Sequence, residues 1–263
     1  MDEGVVEELE QEGSQGSEES VSAPGLMEKH AGTPRVSMSN ALARSAHGLT
    51  LHEKRLVALC ISKLDSGRHW TPDKLNVRIT AKQFMDVFDI PHDKHVYANL
   101  RAACELLEDR KIIFYDEKRG ISHRMRWVGR ASYADGEGWV ELSFFHELAP
   151  HLFKLHKQFT TYHLRQASSL RSVYAWRLLE LLMQFSSTRK LQIALPEFHH
   201  AMEAPESCRK SFKDLRRRIL EPAIKELRDK ESLQVQYEAR KTGRKVTSLR
   251  LIFSYDPQLA MSL

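Results

Sequence analysis

Cysteine, glycine and proline are scarce in this 263-residue sequence, at three, twelve and nine residues. Cys60, Cys104 and Cys208 are odd in number and widely spaced. They supply neither a disulfide framework nor a cysteine-pair zinc site, and they read as buried free thiols of a reducing compartment. Long apolar runs are lacking. The longest, ending at Ile61, falls far short of the roughly 20 residues that cross a bilayer, so no membrane association is expected. Basic residues are missing from positions 1–28, which hold nine acids. Such an opening is the opposite of a signal peptide, and a cytoplasmic location is expected.

Catalytic signatures are lacking too. Gly243-Arg-Lys has neither the upstream glycine nor the apolar strand of a phosphate-binding loop, and no Gly-x-Ser-x-Gly elbow occurs. His146-Glu147 precedes His151, one residue late for the zinc-protease spacing that places two imidazoles on one helix face, and Pro150 intervenes. His199 and His200 are adjacent, so on a helix they point about 100° apart and cannot chelate one ion. They also lack the His–apolar–His strand of tyrosine nickases. Glu105, Glu108 and Asp109 sit beside Arg110 and Lys111 in what reads as a solvated helix end. No catalytic residue, metal or cofactor is expected, and the chain does not read as an enzyme.

What is present is positive charge, unevenly placed. The net charge of +5 conceals a −9 segment; the other 235 residues carry 40 basic against 26 acidic side chains, or +14. A body with that excess meets something anionic: nucleic acid, a membrane surface or an acidic protein. The length suits one large or two ordinary domains, and 41% hydrophobic residues can build a core.

Residues 1–34 combine Glu, Gly, Ser and Gln with Pro24 and Pro34 and no aromatic residue, which predicts a disordered acidic tail. It is either a solvated leader or a mask for the basic body. Order is expected from near Met38. Asn40 is placed to cap a short helix over 41–46, and Thr50 with Glu53 forms a capping box for a longer one bearing Leu56, Leu59, Cys60 and Leu64. Val77–Ile79 reads as a strand. Thr80 with Gln83 starts a helix with Phe84, Val87 and Phe88 inward, Pro91 breaks the chain, and residues 95–108 form the next helix. Strands are expected at 112–115, 124–133 and 139–144. This helix, strand, helix, turn, helix, hairpin order is that of a winged helix.

The order recurs after a junction at 144–160. Ser172–Ser186 reads as an amphipathic helix with Val173, Trp176, Leu179, Leu182 and Met183 inward. Leu191–Ile193 is a strand, Pro196–Met202 starts a helix, Pro205 marks a turn, Ser211–Lys230 is one long helix, and 233–239 and 246–255 are strands around Lys241-Thr-Gly243. Leu106, Leu107, Tyr174, Trp176 and Phe185 read as core, and Trp127 and Trp139 as packed. Val77, Ile79, Phe84 and Pro91 correspond to Leu191, Ile193, Phe198 and Pro205 at a constant offset of 114, and with one inserted residue Leu100-Arg101 lies over Leu215-Arg216. The fold class expected is therefore α+β, with two tandem winged-helix domains related by internal duplication: the tail at 1–34, an N-terminal domain at 35–156 and a C-terminal domain at 157–263.

The nucleic-acid signal lies in the second domain. Residues 209–218 read Arg-Lys-Ser-Phe-Lys-Asp-Leu-Arg-Arg-Arg and open its third helix. Phe212, Leu215 and Ile219 form the inward stripe, which leaves Lys210, Ser211, Lys213, Asp214, Arg216, Arg217 and Arg218 on other faces. Arg can bond bidentately to guanine and Asp can accept from cytosine, whereas a pure phosphate binder gains nothing from Asp214 among cations. Arg240, Lys241, Arg244 and Lys245 place four cations on a hairpin tip around Gly243, suited to a phosphate backbone or the minor groove. Residues 209–250 carry fourteen basic against six acidic side chains, +8, which predicts strongly salt-dependent binding. Pro222 falls inside the long helix and either kinks it after the Arg triplet or is a tolerated interruption.

At these residues the sequence resembles the iteron-binding replication initiators of theta-replicating plasmids. The resemblance is carried by Ser172-Val-Tyr-Ala-Trp-Arg-Leu-Leu-Glu-Leu-Leu182, by Phe212-Lys-Asp-Leu-Arg-Arg-Arg-Ile-Leu-Glu-Pro-Ala-Ile-Lys-Glu-Leu227, and by Lys241-Thr-Gly-Arg-Lys245 with Leu251-Ile-Phe253. Asn40-Ala-Leu42 and Leu51–Ile61 add a looser likeness in the first half. It covers roughly residues 38–256 and excludes the acidic tail. Leu179 stands where a Tyr is common and Arg228 where an Asn often ends the helix; both are structural-looking positions. The resemblance implies that the second domain reads directly repeated double-stranded origin DNA through Lys210, Ser211, Lys213, Asp214, Arg217 and Arg218. It implies that the first domain contacts adjacent backbone and forms a dimer interface. Monomers would open the origin and recruit the host initiator and helicase. Dimers would repress the chain's own promoter and be converted by chaperones, in a bacterial, plasmid-encoded setting. Two alternatives stay open: a winged-helix transcription regulator without origin function, and a nicking enzyme acting through Tyr162 or Tyr174.

Overall fold

A computed structural model describes residues 34–91, 95–116, 119–134 and 136–255. The expected disordered tail lies outside the described residues up to position 33; the Pro34 carbonyl accepts from the backbone N–H of Leu164 (2.8 Å). The chain then enters β1 (Arg35–Ser39), α1 (Asn40–Arg44), α2 (Leu51–Ser62), β2 (Asn76–Thr80), α3 (Ala81–Phe88), α4 (Val96–Asp109), the hairpin β3 (Lys111–Asp116) and β4 (Ile121–Arg126), and the strands β5 (Val128–Ala134) and β6 (Trp139–Phe144). After α5 (Ala149–Leu152) come β7 (Phe159–His163), α6 (Leu164–Ser168), α7 (Val173–Met183), β8 (Lys190–Ala194), α8 (Leu195–Ala201) and α9 (Glu206–Lys210). The chain closes with α10 (Phe212–Leu215), a π turn (Arg216–Leu220), α11 (Glu221–Glu231), β9 (Leu233–Thr242) and β10 (Lys245–Tyr255).

Local chemistry starts several of these elements. The expected capping box forms, Thr50 and Glu53 exchanging side-chain and backbone bonds at the start of α2, and Thr80 and Gln83 make a second at the expected start of α3. The first short helix is capped by Ser39, not Asn40. Ser39 Oγ accepts from the Leu42 amide at 3.1 Å, while Asn40 opens the helix and its Oδ1 accepts from Thr160 Oγ1 at 2.7 Å. That bond reaches a strand 120 residues away, which no local pattern specifies.

The duplication is visible in the sheets. β2–β6–β5 and β8–β10–β9 have the same strand order, first–last–middle, all antiparallel. β2 and β8 lie at the expected offset of 114. Helices α2, α3 and α4 pack on the first sheet and α8 and α11 on the second, so the architecture is two winged helices. Two features depart from the expected plan. The strand expected at 124–133 breaks at Trp127, whose indole is buried; β4 pairs only with β3, in a separate ribbon, and β5 joins the wing sheet. The chain bends at Trp127, whose carbonyl accepts from the Phe145 amide at 3.0 Å. Second, β1 and β7 pair along their whole length, so the first strand of the chain meets a strand that starts at the end of the expected junction and runs into the stretch assigned to the C-terminal domain.

α7 was expected to be amphipathic, yet every side chain from Ala175 to Met183 is buried. Its two charged residues are inside, with Arg177 2% and Glu180 1% exposed. Buried charge is costly unless paired, and both are paired with side chains from other segments. Glu180 accepts from Lys54 Nζ (2.8 Å) and Tyr162 OH (2.9 Å), and the same Tyr162 oxygen accepts from Trp176 Nε1 (3.0 Å). Arg177 bonds the carbonyls of Ser45 and Ala201, His47 Nε2 (2.7 Å) and Glu203 (2.6 Å). Glu203 also accepts from the backbone amides of His47 and Gly48. α7 is thus tied to α2, β7 and the segments around His47 and Glu203 by a buried polar network. Leu106, expected in the core, is 50% exposed on the outer face of α4.

Candidate nucleic-acid interface

The basic run does not lie on one uninterrupted helix. Lys210 ends α9, with Nζ 3.1 Å from Glu206 Oε1. Ser211 leaves helical geometry (φ −134°, ψ 109°) and caps α10, its Oγ accepting from the Asp214 amide at 3.2 Å. Arg209 Nε donates to the Ala204 carbonyl at 2.6 Å, which fixes the turn between α8 and α9. Its charge therefore belongs to the scaffold.

Lys213 is exposed on α10. Asp214 is half-buried, with Oδ1 3.5 Å from Arg217 Nη2, so the one carboxylate of the segment is oriented on the central arginine of the triplet. Arg218 Nη1 donates to Ser207 Oγ (3.4 Å), linking the triplet back to α9. Arg216 Nε is 3.4 Å from Glu221 Oε1, which accepts from Tyr237 OH on β9 (3.0 Å). All three arginines are exposed between buried Leu215 and buried Ile219 and Leu220.

Arg240 and Lys241 lie just before the end of β9 at Thr242, Arg244 lies in the turn and Lys245 starts β10; all four are exposed. The turn is Gly243-Arg244, one residue later than expected, because Thr242 pairs with Lys245. Gly243 sits at φ +61°, which favours glycine. From Tyr237 to Arg240 along β9 is about 10 Å, so the wing cations begin close to the strand position that ties down Arg216.

The structure therefore brings Ser211, Lys213, Asp214, Arg216, Arg217 and Arg218 onto one short segment, with Lys210 on the preceding helix and the wing as a second cationic element. Sequence reasoning missed three supports: Ser207, Glu221 and Tyr237. The Ser207–Arg218 and Glu221–Tyr237 pairs are 11 and 16 residues apart across a turn, and no periodicity marks them.

The equivalent face in the first domain is different. Exposed positions of α4 are Ala98, Asn99, Ala102, Glu105, Leu106, Glu108 and Asp109, and Arg101 is 3.1 Å from Glu105 and stacked 4.3 Å over the Tyr133 ring. Exposed cations of that domain are spread over several elements, among them Lys63, Arg78, Lys82 and Arg130, and three lie on the β3–β4 ribbon: Lys111, Arg124 and Arg126. Lys111 pairs with Arg126 and Ile113 with Arg124, so all three cations share one face.

Two family models match this arrangement: one described as "Initiator Replication protein, WH1" over residues 35–183, the other as "Initiator Rep protein, WH2" over residues 194–253. The chain belongs to the initiator replication protein family. A replication initiation protein of Escherichia coli is similar to this initiator at 26% identity over 230 residues, 85% of this chain and 71% of the relative. An uncharacterized 27.6 kDa protein of Escherichia coli is 27% identical over 224 residues, 82% of this chain and 93% of the relative. The crystal structure of the Pi initiator protein in complex with iteron DNA shares the fold with a TM-score of 0.73 at 20% identity, covering 86% of this initiator and 98% of that chain. Among the described residues of this initiator, no helix is long and apolar enough to cross a membrane, and no cluster of His, Cys, Asp or Glu could hold a metal ion.

Proposed function

We propose that this initiator acts at a plasmid origin in the bacterial cytoplasm by binding directly repeated double-stranded DNA. Base reading belongs to Lys210, Ser211, Lys213, Asp214, Arg216, Arg217 and Arg218 in the major groove, and Arg240, Lys241, Arg244 and Lys245 follow the phosphates. The observation that carries the reading is the exposed, anchored cationic segment at the third-helix position of the second winged helix, with a cationic wing beside it. The Pi initiator, similar in fold along 86% of this chain, is a protein whose structure was solved with iteron DNA.

The first domain contacts adjacent backbone through the cationic face of the β3–β4 ribbon and mediates dimerisation. Monomers open the origin with energy from DNA bending and recruit the host initiator and helicase; dimers repress the initiator's own promoter and are converted by chaperones. No covalent chemistry is required. Tyr162, a nicking nucleophile in the alternative reading, is buried with its hydroxyl between Glu180 and Trp176, and burial pushes its pKa well above the ordinary tyrosine value. Burial raises the Tyr174 pKa as well.

Transformation with a plasmid carrying only this gene and its flanking DNA tests the reading. Replication that depends on the intact gene is expected. No replication at any gene dosage would remove the initiator role and leave a regulator, and a covalent protein–DNA adduct on supercoiled origin DNA would establish the nicking alternative.

A further inference from the structure

The π turn at Arg216–Leu220 lies inside the proposed base-reading segment. Its cause is local. Pro222 has no N–H to give the Arg218 carbonyl, and in an α-helix its ring would collide with that carbonyl. The chain responds with a wider turn, in which the Glu221 amide donates to the Arg216 carbonyl five residues back. Pro222 then sits at the start of α11, where a missing donor is harmless.

Packing makes the same demand. Leu215, Ile219, Ala223 and Leu227 are all buried, and Glu231 with them, at an unbroken spacing of four. In a straight α-helix each step of four drifts by about 40°, which is about 160° over the whole series. Leu215 and Glu231 would then face opposite ways. The wider turn takes back part of that drift, and Ile219 and Leu220 are both buried where the inward stripe shifts. Its other consequence is directional: the segment before the turn is rotated about the helix axis relative to α11, which is fixed in the core.

We propose that this π turn, enforced by Pro222, sets the angle at which the basic segment meets DNA and so determines which bases it reads. Pro222 is a positioning residue for sequence specificity, acting through Lys213, Asp214 and Arg217. The inference rests on the base-reading role proposed above for these residues.

Selection from a random duplex pool on the full chain tests it. One variant lacks Arg218 and carries Pro222→Ala. Leu215, Leu220, Ala223 and Leu227 then fall at spacings of four, three and four, compatible with an uninterrupted α-helix. Arg218→Ala controls for the lost charge. The control should enrich the wild-type motif, more weakly. The shortened variant should enrich a different motif, or bind the wild-type motif about tenfold or more below the control, with random-duplex affinity within about twofold. The same motif, bound within about twofold of the control, overturns the proposal. If circular dichroism shows the shortened variant unfolded, Pro222→Ala alone decides. A fall of about fivefold in the ratio of motif to random affinity supports the proposal, and an unchanged ratio overturns it. A wild-type chain that enriches no motif overturns the base-reading role itself, whereas a motif unmoved by the variants overturns only the role of Pro222.

Discussion

Arg217 is held by Asp214 in the free protein and is exposed. Arg217→Ala is expected to cost about 1–3 kcal/mol on the selected sequence and to relax preference at one base pair. An equal loss on random duplex, measured by titration, would mean a phosphate contact instead. His47 makes a pH prediction. Burial first, then Arg177 and Lys54, hold its pKa well below the ordinary value, and its Nε2 accepts from Arg177. Burial also lowers His151, His199 and His200. A base whose pKa is depressed by folding binds its proton more readily when unfolded, so stability is complete above the unfolded value and is lost as pH falls below about 6.5. Thermal melts between pH 7.5 and 5.5 should show Tm falling on acidification, with a shallower fall in His47→Gln. At this scale the sequence was informative about caps and misleading about exposure. Thr50 with Glu53 and Thr80 with Gln83 lie three residues apart, so their bonds depend on the local chain alone. Leu106 has the same apolar character as Leu107, and only the neighbours of α4 leave it in solvent.

Among the elements, α7 shows how burial overrides pattern. Its charged residues suggest a solvent face, but Lys54, Tyr162, His47 and Glu203 supply partners from other segments. Lys54→Met should destabilise the protein by about 3–5 kcal/mol because it leaves Glu180 charged, buried and short of its cation. Adding Glu180→Gln should recover much of that loss, since the amide oxygen can still accept from Tyr162. Denaturant melts of the two variants check the pair; equal losses would mean that Lys54 acts through packing rather than charge. The segment 211–230 makes the complementary point. Its residues announce a helix with an inward stripe, and the proline announces an interruption. The form of that interruption, a π turn in which the Glu221 amide reaches back to the Arg216 carbonyl, fits both Pro222 and the burial of Ile219 and Leu220.

For the whole molecule, charge distribution leads. Cations concentrated on one segment and one wing should release counterions on binding. Duplex affinity is expected to fall on the order of a thousandfold between about 50 and 200 mM salt if about six phosphates are neutralised. A shallow salt slope in a binding titration would contradict that footprint. Nine acids in the first 28 residues oppose the +14 of the remainder. Removing residues 1–33 should raise affinity for random duplex at low salt if this segment competes for the basic face, and an unchanged titration would leave it without that role.

The sequence by itself determined the two winged-helix units, their offset of 114 residues, the capping boxes and the basic character of the second domain's third-helix region. Each is a property of residues near one another along the chain, or of a repeated pattern. The tertiary structure decided the pairing of β1 with β7, the separation of the β3–β4 ribbon from the wing, the buried Arg177 and Glu180, and the ties of Arg216 and Arg218 to Glu221 and Ser207. These depend on which distant segments meet. A side chain's hydrogen-bond partner or its exposure is set by atoms that the local sequence does not contain.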